Sequence, residues 1–136
     1  MQVPGYVQGA IAPTFSVFTA DGALDEAGQR TFLDFLVEQG SISCFFVRSG
    51  MGLMYTYGME DTKQMARLAC GHLKGKAADI VGCSGIWDRN YDKLPDQDTY
   101  IAQAMVLRKY CIGQGTGGVV YTLPEGLLPE EGESIA

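Results

Sequence analysis

The segment Ser49-Gly50-Met51-Gly52 directly follows the short apolar run from Ser43 to Val47. That run is apolar throughout, which is typical of a strand buried on both faces. Small residues after such a strand allow backbone N–H groups to converge, and converging N–H groups suit a carboxylate or a phosphate. The segment is therefore a candidate anion-binding loop, and an ordinary strand-to-helix turn is the alternative.

Four further polar residues, Ser16, Ser84, Tyr121 and Glu125, fall at or just beyond the ends of predicted strands. They are candidates for lining a site, because ligands of parallel α/β folds bind at the carboxyl ends of the strands. The single histidine, His72, is predicted to lie on a helix. No serine is thus expected to have a histidine partner, and a Ser-His-Asp hydrolase is not supported.

The segment from Asp88 to Asp92 has acidic and amide residues spaced like the start of a calcium loop. Such a loop needs glycine at its sixth position and glutamate at its twelfth, where this sequence has Lys93 and Thr99. We therefore expect no calcium site. Asp88 remains a candidate for ligand binding because it lies on the third predicted strand-to-helix loop.

The cysteines lie in apolar segments, form no C-x-x-C pair and are not spaced for zinc ligation with the histidine. We expect them to be reduced and packed as small hydrophobes, with no metal site and no cofactor. Free cysteines are typical of a reducing compartment, so we expect a cytoplasmic protein. The four are Cys44, Cys70, Cys83 and Cys111.

The elements that must position these residues alternate between two periodicities. Strands are predicted near 9–18, 43–47, 78–83 and 118–122, and helical patterns run over about 25–39, 59–73 and 96–112. The first helix is predicted to be capped by Asp25 and closed at Gly40. The predicted apolar stripes of the three helices are Phe32, Leu33, Phe35 and Leu36; Met65, Leu68, Ala69 and Leu73; and Ile101, Met105, Leu107 and Ile112. Helices between buried strands predict right-handed crossovers and a parallel sheet. A G-x-G-x-x-G match at 113–118 follows a helix and opens a strand, so it is predicted to end the helix rather than to bind a nucleotide.

Two α/β architectures fit this order of elements. One is a small open parallel sheet. The other is part of a (β/α)8 TIM barrel, in which roughly 250 residues supply eight βα units. Four βα units over residues 1–136 correspond to the N-terminal half of such a barrel, and periodicity alone does not choose between the two.

Composition excludes some classes of function. The chain has 136 residues, of which 46% are hydrophobic, and its formal net charge is -6. A basic face is the usual mark of a nucleic-acid binder, so that class is not expected. No apolar run approaches the roughly 20 residues that span a bilayer, and no signal peptide is predicted.

Taken together, these segments resemble the dihydrodipicolinate synthase/N-acetylneuraminate lyase family of pyruvate-handling class I aldolases. The run from Gly9 to Phe18 with its Asp21-Gly22 turn is similar to that family's first strand. The segment 47–61 is similar to its second strand, G-T-T-G-E loop and helix start. Gly82 matches a glycine at the end of the third strand, and 118–129 is similar to the fourth strand and the Pro-Tyr-Tyr segment after it.

The resemblance implies a (β/α)8 barrel, usually tetrameric, in which a lysine on the sixth strand forms a Schiff base with a 2-oxo acid such as pyruvate. The protonated iminium withdraws electrons, so that carbon–carbon or carbon–oxygen bonds form or break beside it. At the family's threonine pair this sequence has Gly50 and Met51, and Leu53 replaces the loop's glutamate. Glu125 and Gly126 stand at the tyrosine pair, and no lysine is predicted at a strand end.

We therefore expect a lyase or synthase fold for 2-oxo acids or sugar acids, truncated before the Schiff-base lysine and inactive as an isolated fragment. A non-catalytic acid-binding module and a half-barrel assembly subunit are the alternatives. The expected site comprises Tyr121 and Glu125 in catalytic positions. Substrate binding is assigned to Ser49, Gly50, Met51, Ser16, Ser84 and Asp88. Exposed edge strands predict a homo-oligomer.

Overall fold

The computed structural model describes residues 4–40, 42–86 and 96–122. These ranges contain four strands and three helices in strict alternation, together with 3-10 turns at Gly5–Val7 and Met54–Thr56. The strands are β1 (Ile11–Pro13), β2 (Cys44–Val47), β3 (Ala78–Gly82) and β4 (Gly118–Val120), and the helices are α1 (Glu26–Glu38), α2 (Met59–Leu73) and α3 (Gln97–Gln114).

All four strands are parallel, and they lie in the sheet in the order β1-β2-β3-β4. Right-handed crossovers between successive neighbours place every helix on the same face of a sheet. This is the strand order of a barrel, whereas a doubly wound sheet reverses its order and carries helices on both faces. The predicted α/β fold class with TIM-barrel topology is confirmed, and the order argues against the open-sheet alternative.

The core lies between the sheet and the helices. Strand side chains alternate, and Phe45, Val47 and Val81 pack into one buried cluster with helix residues. The register pairs Phe46 with Ile80, which places those two side chains together on the opposite face, and both are only half-buried there. The sheet therefore has one face covered by helices and one helix-free face.

Helix α1 begins where the sequence predicts. The carboxylate of Asp25 accepts a hydrogen bond of 2.9 Å from the backbone N–H of Gly28, which caps the first turn. The helix ends at Glu38, and Gly40, two residues later, has a φ of +67° that favours glycine. Leu33 is completely buried, but Phe35, which shares its predicted apolar stripe, is 56% exposed.

Helix α2 has the predicted bounds and the predicted core stripe. The backbone N–H of Gly58 donates a 2.9 Å hydrogen bond to the carboxylate of Asp61, which fixes the first turn. The buried face of the helix packs on β2 and β3 and also contacts both other helices. It includes Met65, Leu68, Ala69 and Leu73.

Helix α3 is capped by Asp96, whose carboxylate accepts from the backbone N–H of Thr99 at 2.9 Å. It ends at Gly115, which has a φ of +90°. The glycine-rich segment therefore closes a helix, as predicted. Leu107 is buried, but three other residues of the predicted apolar face, Ile101, Met105 and Ile112, are exposed.

The first strand is shorter than the predicted run over 9–18. After Pro13 only Thr14 still bonds to β2, through its backbone N–H and its hydroxyl, which both donate to the carbonyl of Phe46. Beyond that point the side chain of Gln29, rather than a neighbouring strand, bonds to the backbone. It accepts a hydrogen bond from the N–H of Val17 at 2.8 Å and donates one to the carbonyl of Phe15 at 3.0 Å. A buried glutamine on α1 thus draws the chain away from the sheet.

None of the helices within 4–40, 42–86 and 96–122 is long and apolar enough to cross a membrane.

Candidate functional site

The predicted anion-binding loop lies at the carboxyl end of β2. Ser49 is buried, and its hydroxyl accepts from the N–H of Gly52 at 3.1 Å and donates to the carbonyl of Thr14 at 3.3 Å. Ser16 donates a 2.5 Å hydrogen bond to the carbonyl of Gly52. A Cβ at Gly52 would lie 2.5 Å from the carbonyl oxygen of Thr14, so only glycine fits there. The loop is thus fastened to the end of β1.

Gly50 and Met51 stand out from this fastened loop. Both are exposed, and Met51 has an exposed fraction of 58%. Their backbone N–H groups make no hydrogen bond to any residue that the structure describes. Two adjacent donors at the carboxyl end of a parallel strand are therefore free to bind an anion.

Ser84 lies at the carboxyl end of β3 and is buried. Its hydroxyl accepts a 2.6 Å hydrogen bond from the backbone N–H of Thr122, just after β4. The carbonyl of Thr122 also accepts from the Tyr100 hydroxyl at 2.6 Å. Tyr121, the residue before Thr122, is 43% exposed. Partial burial is the main cause that raises the pKa of its hydroxyl, and the nearby Cys83 thiol is the second.

Arg48, which was not among the predicted site residues, is the largest fully buried side chain within the described ranges. It follows the last residue of β2 with a φ of +53°, a left-handed conformation that is uncommon outside glycine. Its Nη1 donates to the carbonyl oxygens of Gly82 at 3.1 Å and of Ser84 at 2.8 Å. Burial lowers the pKa of this guanidinium. Its position between an apolar strand and a loop of small residues was the only feature of the sequence that could have indicated a role for Arg48 in the site.

Tyr57 is a second buried polar residue that the sequence analysis did not select. Burial raises the pKa of its hydroxyl, and the neighbouring hydroxyl of Ser16 opposes that rise. The Tyr57 hydroxyl has no partner within hydrogen-bonding geometry, and its ring lies 5.9 Å from that of Phe18. Tyr57 also lines a cavity of about 440 Å³ between the loops that follow β1 and β2. The other lining residues are Phe18, Gly22, Ala23, Leu24, Leu53, Thr56, Asp61 and Gln64.

The predicted site residues therefore divide into three groups. Ser16, Ser49 and Ser84 bind backbone at the strand ends, whereas Gly50, Met51 and Tyr121 are exposed there. The cavity is lined by none of these six residues. Asp88 and Glu125 lie outside the described residues.

The described ranges hold no group of three or more histidine, cysteine or acidic residues arranged to bind a metal ion. The four cysteines are buried and free. Cys83 and Cys111 share a hydrogen bond that lowers the pKa of the first thiol and raises that of the second. Their contacts are those of core residues.

The lysines of the described ranges lie away from the strand ends. Lys63 is on α2 and bonds to Glu60, Lys74 and Lys76 follow the end of that helix, and Lys109 is on α3. Lys93 lies outside the described residues. The described strand ends thus supply hydrogen-bond donors and a buried guanidinium, but no amine that could form a Schiff base.

A four-stranded sheet of this order, with its polar residues at the carboxyl ends, defines part of a TIM barrel, and comparison with known proteins agrees. No protein-family model matches the chain. YagE of Escherichia coli K12 is 36% identical over 77 residues, which cover 57% of this chain and 25% of that protein. N-acetylneuraminate lyase of Danio rerio is 30% identical over 83 residues, or 59% of this chain and 27% of the lyase.

Solved structures show the same likeness. YagE, a prophage protein of the dihydrodipicolinic acid synthase family crystallised with pyruvate, superimposes with a TM-score of 0.69 at 25% identity over 83% of this chain. Dihydrodipicolinate synthase of Aquifex aeolicus shares the fold with a TM-score of 0.70 at 19% identity. These neighbours point to the dihydrodipicolinate synthase/N-acetylneuraminate lyase family, and the predicted resemblance is confirmed. The chain spans about a quarter of the length of its curated relatives and a third of the solved structures.

Proposed function

We propose that this chain supplies the acid-binding part of a site for 2-oxo acids or sugar acids, in an aldolase-type lyase or synthase. The observation that carries the proposal is the pair of free N–H groups on Gly50 and Met51 at the carboxyl end of β2. A carboxylate accepts hydrogen bonds from adjacent backbone donors of this kind. The crystal structure of YagE with pyruvate supports a small 2-oxo acid as the ligand.

The proposal extends to the domain. Residues 1–136 are interpreted as a partial TIM-barrel domain, supported by the sequential strand order and by the share of each relative that the chain spans. Because the lysines of the described ranges lie on or beside helices, we propose that the chain by itself binds the acid without forming a Schiff base. Tyr121 and Glu125 remain proposed catalytic residues, and Ser16, Ser84 and Asp88 remain proposed substrate-binding residues.

The test separates binding from covalent chemistry. Pyruvate is titrated into the ¹⁵N-labelled chain, and the amide resonances of Gly50 and Met51 are expected to move in a saturable way. In parallel, the chain is treated with pyruvate and borohydride and weighed by intact-mass spectrometry, where no added mass is expected. A reduced adduct would overturn the lysine argument, and unmoved loop amides would overturn the binding site.

A non-catalytic acid-binding module is the second candidate. The hydroxyl of Ser49 is engaged with Thr14 and Gly52, so the loop offers backbone donors but no free hydroxyl for proton transfer. The two candidates differ in turnover. Release of pyruvate from a 2-dehydro-3-deoxy sugar acid by the protein together with any in-frame continuation of its gene would establish the lyase. Binding without release would establish the module.

The helix-free face of the sheet supports a homo-oligomer. Ile11, Phe46, Ile80 and Val120 are half-buried and lie on that face, and β1 and β4 are edge strands within the described ranges. Apolar surface beside open strand edges favours association. We propose that a second copy covers this face, and light scattering is expected to report a dimer or larger. A stable monomer at high concentration would contradict it. The four buried free cysteines support a reducing compartment such as the cytoplasm.

A further inference from the structure

The guanidinium of Arg48 is held in one orientation by its own hydrogen bonds. Both protons of Nη1 are directed at carbonyl oxygens, those of Gly82 and Ser84. The left-handed backbone at Arg48 breaks the alternation of β2 and brings the side chain near Cys83, Tyr57 and other helix-facing groups. The planar group is therefore fixed before any ligand arrives.

One edge of that guanidinium has no partner. Nε and Nη2 are buried and make no hydrogen bond, and the hydroxyl of Tyr57 is in the same state. The Nε–Nη2 edge of arginine is the one that binds a carboxylate with two parallel hydrogen bonds. Native proteins rarely leave buried donors unused, so three of them in one region require an explanation.

The described part of the chain pairs no carboxylate with this charge. Its ion pairs use Arg30, Arg67, Lys63, His72 and Lys76, and none includes Arg48. The groups that act electrostatically on Arg48 are the thiols of Cys83 and Cys111 and the hydroxyls of Tyr57 and Tyr100. None of these groups is a carboxylate, and Cys83 is the one whose thiol pKa is lowered, first by its hydrogen bond with Cys111 and also by the charge of Arg48. Burial lowers the pKa of Arg48, as expected for a cation held out of water.

We propose that the Nε–Nη2 edge of Arg48 and the hydroxyl of Tyr57 form a binding site for the carboxylate of one small acid. Tyr57 also lines the cavity of about 440 Å³ between the loops after β1 and β2, which gives a ligand its approach. Arg48 itself does not line that cavity, so the proposal requires the Tyr57 ring to move aside when a ligand binds. The inference goes beyond the proposed function, because this site is separate from the Gly50–Met51 loop, neither residue of which lines the cavity. It names a cation that selects an acid over a neutral compound.

The test uses the whole chain with pyruvate, acetate and the uncharged ester methyl pyruvate as probes. Binding is followed by titration of the ¹⁵N-labelled protein, with the Nε–H resonance of Arg48 as the direct signal. We expect both carboxylates to move that resonance and the ester to leave it unmoved. Arg48→Met is expected to weaken pyruvate binding by at least tenfold, and Arg48→Lys to restore part of it, since lysine keeps the charge but lacks the two-donor edge.

Two further variants distinguish a specific loss of binding from a general loss of structure. Tyr57→Phe removes only the hydroxyl and is expected to weaken binding severalfold with an unchanged circular dichroism spectrum. Arg67→Met removes an exposed arginine paired with Glu26 and is expected to bind as the unsubstituted chain does. Folding of every variant is checked by its amide spectrum.

The outcomes distinguish this inference from the proposed function. Pyruvate binding with an unmoved Arg48 Nε–H and full affinity in both the Tyr57→Phe and Arg48→Met chains would overturn the inference and leave the loop site standing. Acetate binding that depends on Arg48, with no response to pyruvate, would support the inference and overturn the proposed 2-oxo acid function. No binding of either carboxylate would overturn both.

Discussion

Nη1 of Arg48 donates a 2.8 Å hydrogen bond to the carbonyl oxygen of Ser84 and so joins the end of β2 to the loop after β3. The hydroxyl of Ser84 in turn accepts from the N–H of Thr122 after β4. On the other side, Ser49 donates to the carbonyl of Thr14 after β1. The carboxyl ends of all four strands are therefore connected by side chains as well as by sheet pairing.

Removing the Ser84 hydroxyl should loosen the end of β4. Ser84→Ala leaves the backbone N–H of Thr122 without its 2.6 Å acceptor, and a part-buried hydrogen bond of this kind contributes about 0.5–1.5 kcal/mol. We expect the free energy of unfolding in urea to fall by this amount. Ser43→Ala is the control, because Ser43 is exposed and its change should fall within about 0.5 kcal/mol. Equal effects of the two variants would contradict the role given to Ser84.

Gly82 and Gly71 make a matched pair of glycines with opposite expectations. A Cβ at Gly82 would lie 2.4 Å from the backbone oxygen of Arg48, which cannot move without breaking the end of β2. Gly82→Ala should therefore destabilise the fold by about 1–3 kcal/mol, as overpacking does. Gly71 lies inside α2 with nothing within 4 Å, so Gly71→Ala should stabilise by roughly 0.5–1 kcal/mol. Thermal unfolding of the two variants checks both signs.

The sequence was most informative where local chemistry acts alone. The cap at Asp25, the bounds of α2 and the glycine termini of α1 and α3 all follow from short-range preferences. The shortening of β1 did not, because it depends on Gln29, a residue from the following helix. Composition and periodicity cannot show which helix side chain will bind a distant backbone.

In the candidate site, too, the features set by local sequence were predicted and those set by distant contacts were not. Ser49 and Ser84 were predicted as ligands from their positions at strand ends, and the structure shows that each also holds a neighbouring strand. Arg48 was missed because an arginine after an apolar strand normally turns to solvent. Its burial depends on a left-handed backbone and on carbonyls from β3, which are contacts between segments 34 and 36 residues apart.

Leu33 and Phe35 test the placement of the α1 core face. Both belong to the apolar stripe predicted from periodicity, yet Leu33 is completely buried and Phe35 is 56% exposed. Leu33→Ala should lower the free energy of unfolding by about 2–5 kcal/mol, because it leaves a cavity in the core. Phe35→Ala should change it by less than about 1 kcal/mol if the chain is monomeric under the conditions used. A larger loss of unfolding free energy in Phe35→Ala than in Leu33→Ala would show that the buried face of α1 has been assigned wrongly.

Stability should fall in acid through the ion pairs of α1 and α2. Bonds from Gln64 and then Arg30 lower the pKa of Glu26 below its ordinary value of 4.5, and those from Lys76 and His72 lower that of Asp34 below 3.8. A carboxyl whose pKa is lower in the folded state binds its proton more readily when unfolded. Its contribution is therefore present above the ordinary value and is lost as the pH falls through the folded-state pKa.

Urea unfolding between pH 6 and pH 3 checks this dependence. The unsubstituted chain should lose stability below about pH 4.5, and Glu26→Gln should flatten part of that decline, since glutamine has no proton to gain. Glu38→Gln, at the other end of α1, is the control because Glu38 is exposed and makes no ion pair with another described residue. An identical pH slope in the Glu26→Gln chain and the unsubstituted chain would show that the contacts of Glu26 with Gln64, Arg30 and Arg67 carry no net stability in solution.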